Sequence, residues 1–161
     1  MRVFILRHSI AEDASPGGSD AARALTPEGR QKLRSVLDCA RSAGVHPSAI
    51  LTSPLKRAAQ TAELAAKHLD VKRKLIEIKA LAPPGSPQQI WAEIREIATE
   101  EVMIVGHEPL LSRTTAFLLR CPALRLNLKK GALVSIDIED GQTEPHGILN
   151  WILTPRLVRR D

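Results

Sequence analysis

The sequence predicts an α/β fold in which a mainly parallel sheet is flanked by helices on both faces. Short, continuous apolar runs at residues 3–6 and 102–105 are typical of strands that are buried on both faces. Segments with helix-start signals alternate with such strands through most of the chain, as in parallel sheets with crossover helices. The length of 161 residues suits a single domain, and residues 1–161 contain no internal repeat or linker.

Hydroxyl side chains followed by proline mark three helix starts. Thr26, Ser53 and Ser86 each precede a proline, and an N-cap hydroxyl with proline at the first helical position is a favoured start. The predicted elements of the first half are, in order, a strand at 3–6, a loop at 12–20, a helix from Pro27 to Gly44, a strand at 49–52, a helix from Pro54 to about Leu69 and a strand at 75–78.

The second half of the chain continues the alternation and then changes character. Residues 132–138 alternate between apolar and polar side chains, which indicates a half-buried strand, and a turn at 139–142 would make a hairpin at a sheet edge. The predicted elements are a break at 82–85, a helix from Pro87 with its apolar stripe at Ile90, Ile94 and Ile97, a strand at 102–105, a helix at 110–119, and strands at 132–138 and 148–153.

Composition excludes several classes of protein. The net charge is +5, but the chain has only two Phe, two Trp and no Tyr, too few stacking residues to favour nucleic-acid binding. No segment approaches a membrane span, and no signal peptide is visible, so we expect a cytoplasmic protein without a membrane partner. Cys39 and Cys121 lack metal-like spacing, and we expect them to be reduced and mostly buried.

Basic and imidazole side chains stand at the ends of three predicted strands. Arg7 and His8 end the first strand, His107 ends the fourth, and Arg57 lies in the first turn after the second. Parallel strands would bring them to the carboxyl edge of the sheet, where ligands bind. Two guanidinium groups suit a phosphate, and a neutral imidazole can attack phosphorus. Each residue alone has an ordinary structural interpretation, but their shared placement favours a phosphate site.

The motifs around these residues resemble those of the histidine phosphatase superfamily, which has the phosphoglycerate-mutase-like fold. Residues 6–9, Leu-Arg-His-Ser, resemble its Arg-His-Gly signature, and residues 53–62 match its second motif. Residues 106–109, Gly-His-Glu-Pro, match the third, and residues 23–29 resemble the stretch between the first two. The short chain, without a long lid insertion, is similar to the SixA-type phosphohistidine phosphatases.

The resemblance implies a phosphatase that needs no metal or other cofactor and works through a phosphohistidine enzyme intermediate. His8 would be the nucleophile, and Arg7, Arg57 and His107 would form the phosphate pocket. Arg23 would either join that pocket or form a structural ion pair. Because the surrounding cations favour the neutral form of His8, we expect activity to persist below neutral pH.

The sequence departs from the family at two places. Ser9 replaces the glycine of the first motif, a small change unless the backbone there needs a positive φ. Many family members carry a general-acid Glu after the third strand, but residues 79–84 contain no carboxylate. Glu77 lies inside the predicted strand, and the alternatives are Glu12, Asp13 and Asp20 on the loop after the first motif.

The missing acid favours a particular substrate. An alkoxide leaving group needs a proton in the transition state, whereas the imidazole of a phosphohistidine leaves more readily. An open site would also admit a side chain of another protein. We therefore expect a monomer that dephosphorylates a phosphohistidine-bearing protein such as a phosphotransfer domain. The alternatives are a phosphatase of small phosphomonoesters and a non-catalytic phosphate-binding module.

Overall fold

The chain alternates strands and helices until its last two strands, which follow one another directly. The computed structural model describes residues 1–73, 75–139 and 144–158. The strands are β1 (Arg2–Arg7), β2 (Ala49–Thr52), β3 (Ile76–Glu77), β4 (Glu101–Gly106), β5 (Leu133–Ile138) and β6 (Gly147–Leu153). The helices are α1 (Pro27–Ser42), α2 (Lys56–His68), α3 (Pro87–Ile97) and α4 (Leu110–Leu118), with short 3-10 helices at Asp20–Ala22 and Lys79–Leu81. Among these described residues, we find no helix with the length and apolar character needed to cross a bilayer.

One sheet contains all six strands, in the order β3-β2-β4-β1-β5-β6. The strands β1, β2, β3 and β4 run parallel to one another. β5 is antiparallel to β1, and β6 is antiparallel to β5. The predicted α/β class with a mainly parallel sheet is therefore confirmed, as is the antiparallel strand pair at the sheet edge. Residues 140–142 of the predicted turn lie outside the described residues.

The central strand β1 explains why its sequence is apolar without interruption. Val3 and Ile5 face the hydrophobic cluster built with α3 and α4, whereas Phe4 and Leu6 face the cluster built with α1 and α2. These four side chains are 0–1% exposed. Successive residues of a strand point to opposite faces, so a strand covered by helices on both sides is apolar at every position.

Two of the three predicted helix starts are confirmed. The Thr26 side chain accepts a hydrogen bond from the Gly29 amide at 2.9 Å at the start of α1. At the start of α3, Ser86 and Gln89 form a capping box, with a proline at the first helical position. Both caps satisfy backbone N–H groups that have no partner inside the helix.

Three details of the sequence interpretation are wrong. The helix α2 begins at Lys56 without a side-chain cap, because its N-cap residue is Leu55 and not Ser53. The strand β3 has two residues rather than four. Cys39 and Cys121 are both exposed. Cys39 lies off the buried stripe of α1, and Cys121 follows the end of α4.

Candidate active site

The predicted site residues meet at the carboxyl edge of the sheet. Arg7 ends β1 opposite Gly106 of the parallel strand β4, so the residues that follow each strand are neighbours. The ring centroids of His8 and His107 are 5.0 Å apart. Arg57 lies in the first turn of α2, and these last three side chains belong to residues that are only 4–7% exposed. Two imidazoles and two guanidinium groups are therefore gathered at one buried place.

The imidazole of His8 is held in one tautomer. Its Nδ1 lies 2.7 Å from the Ser9 carbonyl oxygen, and its backbone amide donates to the Gly106 carbonyl at 3.0 Å. A carbonyl oxygen can only accept a hydrogen bond, so Nδ1 carries the proton. In the neutral ring Nε2 then keeps its lone pair, and Nε2 is the atom that can attack an electrophile.

The surroundings of His8 keep it neutral. Burial lowers its pKa to about 4, and the positive charges of Arg57, Arg7 and Lys130 act in the same direction. The cations expected from the sequence do favour the neutral form, but removal of the ring from water is the larger cause. A neutral His8 is the form that a nucleophile requires.

Ser9, the departure from the family signature, fits its position. Its hydroxyl donates to the Gly29 carbonyl at 2.7 Å, and its amide donates to the Thr61 hydroxyl at 3.2 Å. The non-glycine residues with positive φ in the described chain do not include Ser9, so this position needs no glycine. The side chain instead ties the motif to the first turn of α1.

His107 is oriented by Ser53, the first residue of the second motif, which the sequence predicts as a helix cap. Its Nε2 lies 2.8 Å from the Ser53 hydroxyl oxygen, which also accepts from the Leu55 amide at 3.3 Å. A hydroxyl that accepts from an amide can donate its own proton to Nε2, which leaves Nδ1 as a donor. Burial lowers the pKa of His107 to about 3, with His8 and Arg57 adding repulsion. His107 is therefore a neutral hydrogen-bond donor.

Three buried donors at this edge have no partner within the protein. In the described part of the chain, the buried side-chain polar atoms without a hydrogen bond are Arg7 Nε, Arg57 Nε and His107 Nδ1. Other nitrogens of the two arginines are used, since Arg7 Nη1 donates to the Leu128 carbonyl at 2.6 Å. Arg57 donates to the Asp20 carbonyl at 2.8 Å and to its carboxylate at 3.0 Å. Buried donors are normally paired, so three at one place suit an anion with several oxygens.

The loop after the first motif reaches the site through Asp20. Its carboxylate binds Arg57 and also accepts from Arg23 at 2.9 Å, while Arg23 Nε donates to the Glu12 carbonyl at 2.6 Å. Arg23 is therefore paired with Asp20, whose carboxylate also holds Arg57. Hydrogen bonds from Arg23 and Arg57 lower the pKa of Asp20, which argues against Asp20 as general acid. Glu12 and Asp13 have exposed side chains on the same loop.

Another carboxylate near the site is also held as an acceptor. Glu108 accepts from the Ser112 amide at 3.1 Å and from the Ser112 hydroxyl at 2.6 Å, and its negative charge acts on Arg7. Glu77 lies in β3, as predicted, with its side chain exposed. Both oxygens of the Glu108 carboxylate are therefore engaged by Ser112.

The segment before β5 contributes to the site, although it belongs to none of the sequence motifs. The Gly131 amide donates to the carbonyls of Arg7 and His8, at 3.2 Å each. This contact brings Lys130 close enough for its charge to act on His8. Sequence reasoning missed Lys130 and the role of Ser53. The residue pattern of residues 128–131 contains no signal for this contact, which depends on β5 pairing with β1.

The sheet brings two histidines and two arginines together at the ends of its central strands. Nε2 of a neutral histidine lies there among phosphate-binding donors. This arrangement defines a phosphatase that works through histidine. The chain belongs to the histidine phosphatase superfamily, because the model of its branch 1 matches residues 3–96.

Known relatives extend the match beyond those residues. An uncharacterized protein of Picosynechococcus is 34% identical over an alignment of 151 residues that covers 91% of this chain and 90% of that protein. The structure of the protein histidine phosphatase SixA complexed with tungstate has a TM-score of 0.85 and 26% identity, over 99% of this chain and 100% of the other. A mycobacterial glucosyl-3-phosphoglycerate phosphatase shares the fold with a TM-score of 0.67 and 16% identity, over 92% and 96%.

Proposed function

We propose that the protein removes phosphate from phosphohistidine on another protein, through a phosphorylated His8. The observation that carries the proposal is the set of unpartnered donors Arg7 Nε, Arg57 Nε and His107 Nδ1 beside the neutral His8. His8 supplies the nucleophile, and the other three residues supply the phosphate pocket. A phosphotransfer domain of a signalling relay is the kind of partner that carries such a group.

The reaction has two steps. His8 Nε2 attacks phosphorus, the P–N bond of the substrate breaks, and the released imidazole takes a proton from solvent. Water then attacks the phosphorus, the P–Nε2 bond breaks, and inorganic phosphate leaves with His8 neutral again. In both steps the arginines and His107 stabilise the charge on the three oxygens that do not react.

The arrangement of carboxylates supports phosphohistidine over a phosphate ester. Asp20 is held as an anion by two arginines, and Glu108 accepts two hydrogen bonds from Ser112. The pKa of Asp20 is lowered by hydrogen bonds from these arginines, so Asp20 is not set to protonate an alkoxide, which an ester would require. The connection from β3 to α3 spans residues 78–86 and contains only a short 3-10 helix, so this side of the site has no long covering segment.

A phosphatase of small phosphomonoesters is the second candidate, since the mycobacterial relative named for such a substrate shares the fold. The two candidates differ in their need for a proton donor. Greater catalytic efficiency on small esters than on a phosphohistidine protein would favour the second candidate.

A rapid-quench experiment tests the proposal. The parent protein, His8→Ala and the control His68→Ala would each be mixed with a radiolabelled phosphohistidine protein and quenched in alkali, which preserves phosphohistidine. His68 lies at the end of α2 and contacts the Leu64 carbonyl, so its loss leaves the site intact. We expect transient label on the parent and the control and none on His8→Ala. Substrate that binds without any transfer of label would instead indicate the non-catalytic phosphate-binding module.

A further inference from the structure

A basic groove of about 740 Å³ lies beside the active site. Five of its eight lining residues are basic and none is acidic or aromatic; the basic ones are Arg7, Lys32, Lys129, Lys130 and Arg156. They come from four separate parts of the chain: the end of β1, the helix α1, the segment before β5 and the segment after β6. Basic residues that are far apart in the sequence are therefore brought together in this groove.

The charges of the groove are largely uncompensated. Lys129, Lys130 and Arg156 are exposed, and within the described ranges none of them has an ion-pair partner. Lys32 is paired with Glu28 at 2.6 Å. Like charges that are held together repel one another, and this repulsion favours a bound anionic partner.

The groove is continuous with the phosphate pocket. Arg7 lines the groove and also belongs to the set of buried donors around His8. The charge of Lys130 acts on His8 as well. A molecule that occupies the groove would therefore lie next to the phosphoryl group that reacts.

A second pocket on the other side of the site differs in charge. It is lined by residues of α4 and the segments near it, and its charged residues are Glu108 and Glu144 together with Arg113, Arg120 and Arg125. Arg120 is also paired with Glu144 at 3.0 Å. Mixed charges give no preference for an acidic partner, so the basic groove is the side where such a partner would bind.

The chemistry of the groove favours an acidic protein surface. The absence of aromatic lining residues leaves no platform for stacking nucleic-acid bases. Leu157 follows Arg156 and is 70% exposed, which places an apolar contact beside the charges. A protein interface combines charged groups with such apolar contacts.

We propose that the basic groove docks an acidic surface of the phosphohistidine-bearing protein, next to the phosphohistidine that enters the site. This inference rests on the proposed function, and it predicts acidic residues around the phosphohistidine of the substrate protein. Attraction between opposite charges speeds the encounter and weakens with added salt.

Two phosphohistidine peptides test this inference. One carries Asp and Glu around the phosphohistidine, and the other carries Asn and Gln at the same positions. The groove variant is Lys129→Gln/Arg156→Gln. The control variant is Lys67→Gln/Arg95→Gln, which removes the same charge from the last turns of α2 and α3, away from the groove.

We expect the groove variant to lose about tenfold in kcat/KM for the acidic peptide at low salt, while its kcat/KM for the neutral peptide stays within about twofold. The control variant should turn over both peptides as the parent does. Equal losses in the groove and control variants, or equal losses on both peptides, would overturn the docking proposal.

A binding measurement distinguishes failure of the docking proposal from failure of the proposed function. If the parent hydrolyses neither peptide, phosphohistidine is the wrong substrate class. Fluorescence anisotropy with the unphosphorylated acidic peptide then still tests the groove. Weaker binding to the groove variant than to the control supports docking of an acidic surface, and equal binding to both contradicts it.

Discussion

The interior of the sheet and its carboxyl edge are built from the same strands, but the interior buries apolar side chains whereas the edge buries polar ones. In the interior, β1 places apolar side chains against helices on both faces, each 0–1% exposed. Where β1 and β4 end, His8 and His107 are buried with lowered pKa values, and the edge includes buried donors without partners. Unpaired buried polar groups destabilise a fold, so the stability of the interior has to offset the cost of the edge. Changes in the two regions should therefore affect different measurements.

The largest effect is expected at the edge from Arg57→Ala. Removing this guanidinium should reduce kcat/KM by about 10³-fold or more, because it stabilises charge on the transferred phosphoryl group. Steady-state kinetics with the exposed α1 variant Arg34→Ala as control would measure the loss. A decrease of less than about tenfold would remove Arg57 from the phosphate pocket.

In the interior, Leu37→Ala should affect stability and leave the chemistry alone. Leu37 is 0% exposed in the cluster of α1 and α2, so the cavity should lower the free energy of unfolding by about 2–5 kcal/mol. Urea denaturation would measure this loss. The activity of the folded fraction should remain close to that of the parent; a large loss of activity in fully folded protein would show that the two regions are coupled.

The edge should also make stability depend on pH. The folded-state pKa of His8 is about 4 and that of His107 is about 3, both below the ordinary value of 6.5. Between pH 6.5 and 4 the unfolded chain therefore binds more protons, and stability that is present above pH 6.5 is lost as the pH falls. His8 alone should account for about 2–3 kcal/mol of the loss between pH 6.5 and 4.5.

Urea denaturation at pH 7 and pH 4.5 would measure this dependence. The variant His8→Gln lacks one titrating group and should lose less stability than the parent over the same interval. The same pH dependence in both proteins would mean that His8 is not held neutral in the folded state.

Ser53→Ala should have a smaller effect on the edge. Without the hydroxyl, His107 Nε2 loses its partner, and we expect phosphate affinity to fall by about tenfold as Nδ1 is no longer fixed as a donor. Ser53→Thr, which keeps a hydroxyl, should restore part of the affinity. Thermal melts would serve as the control, because a loss of affinity that only follows lower stability would point to a structural role.

The smallest change is expected in the pH profile of the chemistry. Because burial lowers the pKa of His8 to about 4, the nucleophile is neutral at both pH 7 and pH 5. The rate of phosphoenzyme formation should change by less than about twofold over this interval and fall at lower pH. Single-turnover measurements would test it. A steep decline between pH 7 and pH 6 would mean that His8 titrates at its ordinary pKa.

The sequence predicted the interior well because hydrophobic periodicity reports burial directly. The strands β1 and β4 and the cap of α1 at Thr26 follow from local patterns. The convergence of His8 and His107 also followed, since parallel strands share an edge. The placement of Arg57 followed as well, because it lies in the first turn after the predicted strand β2.

Features that depend on pairing between distant strands could not be predicted. The contact of Ser53 with His107 requires β2 beside β4, and the approach of Lys130 to His8 requires β5 beside β1. Asp20 begins a short 3-10 helix that has no buried residue, so no apolar pattern marks its position in the sequence. The expectation that Cys39 is buried rested on the usual burial of free cysteines, whereas Cys39 lies off the buried stripe of α1.

The central claim is that the phosphoryl group passes to Nε2 of His8, held among the donors of Arg7, Arg57 and His107. The most direct test is to quench the reaction in alkali, digest the protein, and identify the phosphorylated residue and its isomer by mass spectrometry and ³¹P NMR. The account predicts phosphate on Nε2 of His8, because Nδ1 is hydrogen-bonded to the Ser9 carbonyl. Phosphate on Nδ1 of His8, or on any other residue, would contradict it.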